Sequence, residues 1–164
     1  MDTPELNRLH KHVPLIAGFL KGDQRATDFV VLVFRALHVW DDLIDQDKKP
    51  TADEINSVFW DLLIELPRDQ FYMSNFQYLN ATLVNAVINW HAATDLERNG
   101  GDHDKSIAFI LRGAYIDIVS AAALLVGGVE WAKQVTPAIR RWAHEETYSM
   151  YLDNLKAETE ARNV

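Results

Sequence analysis

Gln24-Arg25-Ala26-Thr27-Asp28-Phe29-Val30-Val31-Leu32-Val33-Phe34-Arg35-Ala36-Leu37-His38-Val39-Trp40-Asp41-Asp42-Leu43-Ile44-Asp45 is the stretch whose reading decides the fold. By propensity its run Phe29–Phe34 suits a buried strand. The run is continuous with Arg35–Asp45, however, and the polar residues keep helical phase across the join. The stretch therefore reads as one helix, apolar nearly all round and hence central in a bundle. Pro50 drives the residue before it out of the α region, so this helix must end by Lys49.

Working outward, 5 Pro and 7 Gly parse the rest of the chain into further helices. Leu6, Leu9, Val13, Ile16 and Leu20 recur at helical spacing in a first helix that runs to Lys21-Gly22, with Pro14 as a candidate break. Asp23 can cap the central helix. Thr51-Ala52-Asp53-Glu54 reads as a capping box that opens a third helix, ending before Pro67. Ser74-Asn75-Phe76-Gln77 has the same pattern and opens a fourth, to about Arg98. Asp102 or Asp104 caps a fifth, which runs to Gly127-Gly128. Thr136-Pro137 opens the last, to about Glu160. No alternating strand pattern, repeat or linker survives this parse. The expectation is an all-α, single-domain bundle of five to seven helices spanning residues 1–164.

The chain is 48% hydrophobic and 24% charged, which excludes disordered and fibrous classes. Its net charge of −8 argues against general duplex-DNA or RNA binding, though not against a small basic pocket. The absence of cysteine removes disulfide frameworks, thiolate metal sites and thiol nucleophiles. The N-terminus shows no signal pattern, and neither Phe29–Phe34 nor Ala121–Val126 approaches the roughly 18 residues of a bilayer span. A soluble, cytoplasmic chain without a membrane span is expected.

Asp41, Asp42 and Asp45 are the sharpest chemical feature. Asp41 and Asp45 are one turn apart and Asp42 and Asp45 are i,i+3, so all three carboxylates can point to one side of the helix. They repel one another, and the helix C-terminus disfavours anions as well. A solvated acidic helix end, helped by Lys48 and Lys49, is one outcome. A bound divalent cation, Mg²⁺ or Mn²⁺, is the other, since hard oxygen ligands suit such ions. Asp28, Arg35, His38, Asp42 and Asp45 form a polar stripe on this helix, which faces either water or a cavity.

Asp41-Asp42-Leu43-Ile44-Asp45 resembles the first aspartate-rich motif, DDxxD, of class I isoprenoid synthases. The resemblance implies an all-α bundle in which Asp41, Asp42 and Asp45 hold Mg²⁺ against the diphosphate of a small-molecule substrate. It also implies a second ligand set with Asn, Ser or Thr, and Glu at successive turns. Asn89, Ala93 and Glu97 have that spacing without the middle hydroxyl. Asp117-Ile118-Val119-Ser120 matches the middle of the pattern. The chain is much shorter than a full family member.

Arg112 and Asp117 lie in the apolar segment Ile107–Val126. Either they pair and orient helices, or Arg112 clamps a diphosphate bidentately while Asp117 serves as a second-site ligand. The expected site therefore has Asp41, Asp42 and Asp45 as metal ligands, and Arg112, Asn89, Arg35 and His38 as substrate contacts. Asp117 and Glu97 are its expected catalytic residues. Two other readings stand beside this Mg²⁺-dependent diphosphate enzyme. The pair Asp42-Leu43-Ile44-Asp45 and Asp61-Leu62-Leu63-Ile64-Glu65 is similar to the paired acidic motifs of all-α nucleoside triphosphate pyrophosphohydrolases. A non-catalytic homo-oligomer, with its 5 Trp at interfaces, is the third.

Overall fold

The computed structural model describes residues 4–45 and 49–162, with side chains described for 11–44 and 49–160. The side chain of Asp45, and Lys48 as a whole, lie outside the described residues. The described chain is all-α: α1 Pro4–Phe19, α2 Gln24–Asp45, α3 Ala52–Trp60, α4 Gln70–Ser74, α5 Phe76–Asn99, α6 Asp102–Arg112, α7 Asp117–Ala143 and α8 Tyr148–Arg162. These are eight segments, or seven without the single-turn α4.

The turn between α1 and α2 shows how closely local chemistry sets the path. Lys21 and Gly22 both take positive φ, at 54° and 75°. The Lys21 amide donates to the Gly18 carbonyl at 3.3 Å and the Gly22 amide to the Ala17 carbonyl at 2.8 Å, a Schellman closure of α1. Asp23 then caps α2, its Oδ1 accepting from the Ala26 amide at 3.0 Å. Helix α2 is continuous from Gln24, so Phe29–Phe34 is helix and not strand. Phe29, Val30, Val33 and Phe34 are buried in one core with Ile16 of α1, Leu20 just beyond it, and Ile118, Val119 and Ile139 of α7. Pro14 sits inside α1 without ending it.

Thr51 and Glu54 form the expected capping box of α3, with the Glu54 amide donating to Thr51 Oγ1 and the Thr51 amide to Glu54 Oε2. Beyond Trp60 the coil widens to a π turn over Asp61–Glu65, then tightens to a 3₁₀ turn over Leu66–Arg68 that takes in Pro67. The cap expected at Ser74 does not form. Asp69 caps a short helix there instead, accepting from the Tyr72 amide at 2.7 Å. Asn75 turns its side chain back to the Phe71 carbonyl.

The second half corrects two boundaries. The fifth helix expected to reach Gly127-Gly128 is interrupted by a 3₁₀ turn at Gly113–Ile116. The break at Gly128 is real, with φ 77° and ψ 179°, a conformation essentially confined to glycine. Thr136-Pro137 opens no helix. Pro137 lies inside α7, and Thr136 Oγ1 donates back to the Ala132 carbonyl. A second break falls at His144–Thr147, where the Thr147 hydroxyl accepts from the Met150 amide and the last helix, α8, begins.

By length and composition, one described span, Asp102–Ala143, is apolar enough to cross a bilayer. In this fold its Ile116, Ile118, Val119 and Ala121–Ala123 supply core contacts. Trp131 and Trp142 tie that segment to α1, donating to the Phe19 carbonyl at 2.8 Å and to His12 Nδ1 at 3.0 Å.

Candidate functional site

A cavity of about 310 Å³ opens where α2, α5, the α6–α7 junction and α8 meet. Each wall follows from helical spacing. Phe34, Leu37, His38 and Asp41 lie at i, i+3, i+4 and i+7 on α2, and Ala86, Val87, Trp90 and Glu97 form a matching stripe on α5. Helix α8 closes the chamber with Tyr151, Asn154, Leu155 and Glu158. Aromatic rings dominate: Phe34, Trp40, Trp90, Phe109, Tyr115 and Tyr151.

At its base Arg112 and Glu97 meet as two forks. Arg112 Nε donates to Glu97 Oε1 at 2.8 Å and Nη2 donates to Oε2. The Tyr151 hydroxyl donates to the same Oε1 at 2.6 Å. The Glu97 side chain is only 6% exposed, so these donors offset most of the cost of burying its charge. The guanidinium lies 5.1 Å from the centre of the Trp90 ring, a cation–π distance. Trp90 stands 4.6 Å from Trp40, ring centre to ring centre, and donates its Nε1–H to Asp41 Oδ1 at 3.3 Å. Glu97, Arg112, Trp90 and Asp41 thus form one connected chain from the base of the chamber to its rim.

Burial, and then the hydrogen bond to Glu97, push the Tyr151 hydroxyl well above its ordinary value. Burial, and then the Asp41 charge, also raise Tyr115. His144 is held below its ordinary value by burial and by the charge of Arg140. His38 Nδ1 lies 2.7 Å from the Phe34 carbonyl, which only accepts, so Nδ1 carries the hydrogen.

The expected site residues divide. His38, Asp41, Glu97 and Arg112 come together in the chamber. Arg35 does not; it turns to α3, bonding Ser57 Oγ at 3.0 Å and pairing with Asp61. The polar stripe of α2 is therefore split, with His38 on the chamber side and Arg35 on the α3 side. Asp61, half of the paired acidic motif, is occupied by that ion pair. Arg112 does not pair with Asp117, which pairs instead with Arg140. Asn89 does not line the chamber.

Asp41 and Asp42 also diverge. Asp41 lines the chamber, whereas Asp42 is 8% exposed and does not. Among the described residues no three His, Asp or Glu side chains are grouped to hold a metal ion. The described donors thus do not form a divalent-cation centre.

Comparison with protein-family models, with curated proteins and with solved structures gives no match. The site must be read from its own chemistry.

Sequence reasoning missed the aromatic walls and α8. Tyr148, Tyr151, Leu152 and Leu155 make a helical stripe that signals a buried face, but it lay within a helix thought to begin at Thr136.

Proposed function

We propose that this chain binds a small organic diphosphate and acts on it, with the apolar body of the ligand in the aromatic chamber. One observation carries the reading: a single ring-walled cavity gathers His38, Asp41, Glu97 and Arg112. Its volume of about 310 Å³ falls at the lower end of small-ligand pockets. The rings would exclude water from the ligand body and favour positive charge developing on it. Asp41, at the rim, is the described residue that could contact Mg²⁺ or Mn²⁺, and no step is assigned to such an ion.

The test is a calorimetric titration with an alkyl diphosphate, with and without Mg²⁺, followed by an assay for released pyrophosphate. Binding that falls about tenfold or more in Trp90→Leu is expected, since an aromatic contact and its packing are lost. Absence of binding by the wild type overturns the reading.

A second reading, binding of an organic cation, is favoured by the lining charges. Asp41, Glu97, Glu146 and Glu158 face one guanidinium, that of Arg112. An alkylammonium that binds where the alkyl diphosphate does not would select it.

A further inference from the structure

Behind the chamber lies a second pocket of about 810 Å³, between α5, α6 and α8. It shares Glu97, Arg112 and Leu155 with the chamber, so the Arg112–Glu97 pair is the partition between the two. Its charge is the reverse of the chamber's. Arg98, Lys105 and Lys156 line it together with Arg112, against the single carboxylate of Glu97. In a chain of net charge −8 this local excess is unusual.

Among the described residues, the side chains of Arg98, Lys105 and Lys156 make no ion pair or hydrogen bond. The carboxylate that lines the pocket, that of Glu97, is already taken up by the Arg112 fork and Tyr151. Arg98 has a local reason to be where it is, since it lies in the last turn of α5, where the helix dipole favours a cation. Lys105 has the opposite, lying near the start of α6, where the dipole disfavours one. Lys156 comes from a third element, α8. Three helices therefore bring like charges to one pocket whose one lining carboxylate is already engaged by Arg112 and Tyr151.

We propose that this pocket is an anion site that takes a phosphate or diphosphate group without a metal ion. Lys105 and Lys156 supply point charges, and Arg98 supplies a planar fork matched to phosphate oxygens. Placing the body of an organic diphosphate across the partition, in the chamber, rests on the reading proposed above. The anion site itself does not.

The experiment is calorimetric titration of inorganic pyrophosphate into the full chain at low salt with a chelator present. The wild type should bind. The double variant Lys105→Gln, Lys156→Gln should bind about tenfold or more weakly, having lost two charge-assisted contacts. Wild-type affinity should also fall as salt rises. Lys156 is exposed and Gln preserves most of the Lys105 stem, so folding should survive. Circular dichroism checks it, and the single charge reversal Lys156→Glu gives an independent reading.

No binding of pyrophosphate by the wild type overturns the anion site, as does equal binding by wild type and double variant. An alkyl diphosphate that binds no tighter than pyrophosphate, while the lysine dependence persists, supports the anion site and sinks the chamber reading. An alkyl diphosphate that depends on Trp90 but not on the two lysines, with pyrophosphate binding absent or equally independent of them, supports the chamber reading and overturns the anion site.

Discussion

The two pockets share a wall and differ in almost everything else. The chamber is walled by rings, with four carboxylates to one guanidinium, and its Glu97, Arg112 and Asp41 are held by bonds to one another or to ring donors. The basic pocket has four cationic side chains to one carboxylate, and three of those cations make no polar contact among the described residues. Charges that satisfy one another stabilise the fold. Charges left facing a void contribute little to stability, and their chemistry is directed outward.

The largest expected effect concerns the partition. Arg112→Met leaves the Glu97 carboxylate buried without its fork and should cost about 3 kcal/mol in urea unfolding. Combining it with Glu97→Leu removes the stranded charge and should return stability to within about 1 kcal/mol of wild type. A single variant as stable as wild type would break the comparison, because the pair would then not be a structural wall.

Next is Tyr151→Phe. It removes a hydrogen bond to a charged acceptor and should cost about 2 kcal/mol. The raised value of Tyr151 adds a pH signature. The unfolded chain ionises there above about pH 10, while the folded chain holds the proton. The contribution is fully present below that pH and is lost as pH rises toward the folded value. The Phe variant should lose this part of the alkaline slope, measured as melting temperature against pH.

His144 sharpens the comparison at the other end of the scale. Its lowered value means that the unfolded chain takes up a proton below about pH 6.5 that the folded chain refuses. Stability is thus present above that pH and is lost as pH falls through the folded value. His144→Gln should flatten the acid limb of the same profile.

The smallest expected effect on stability belongs to the basic pocket. Arg98→Gln or Lys156→Gln should change unfolding free energy by no more than about 0.5 kcal/mol, as for other exposed side chains. A larger loss would show that these cations are structural after all, and the contrast between the pockets would disappear.

How legible all this was in the sequence follows the range of the interactions. Asp23 and Thr51 act within three residues of themselves, and their capping roles could be read directly. Gly128 could be read as a stop because its conformation excludes other residues. Pro137 misled, since a proline marks a helix start only where the chain actually bends, and the bend had already been made at Gly128. The partner of Arg112 was hidden for a different reason. Asp117 is five residues away in sequence, but Glu97 is brought opposite by the Asn99-Gly100-Gly101 turn, which folds α6 back on α5. Asp41 and Asp42 are adjacent, so the same helix geometry that suggested a shared side also sends them apart. Which of the two meets a cavity depends on α5 and α8, elements that α2 does not encode.

Helix α8 lends side chains to both pockets, yet Tyr151 is its one buried residue among those described. Swinging it away would uncover one fully buried side chain of its own, so such opening should require far less free energy than unfolding the bundle. Time then enters as a property of the site. Amide hydrogens of α8 should exchange faster than those of α2 or α7, and an occupant touching both pockets should slow them together. The rate at which α8 opens would set how quickly that occupant arrives and how long it stays.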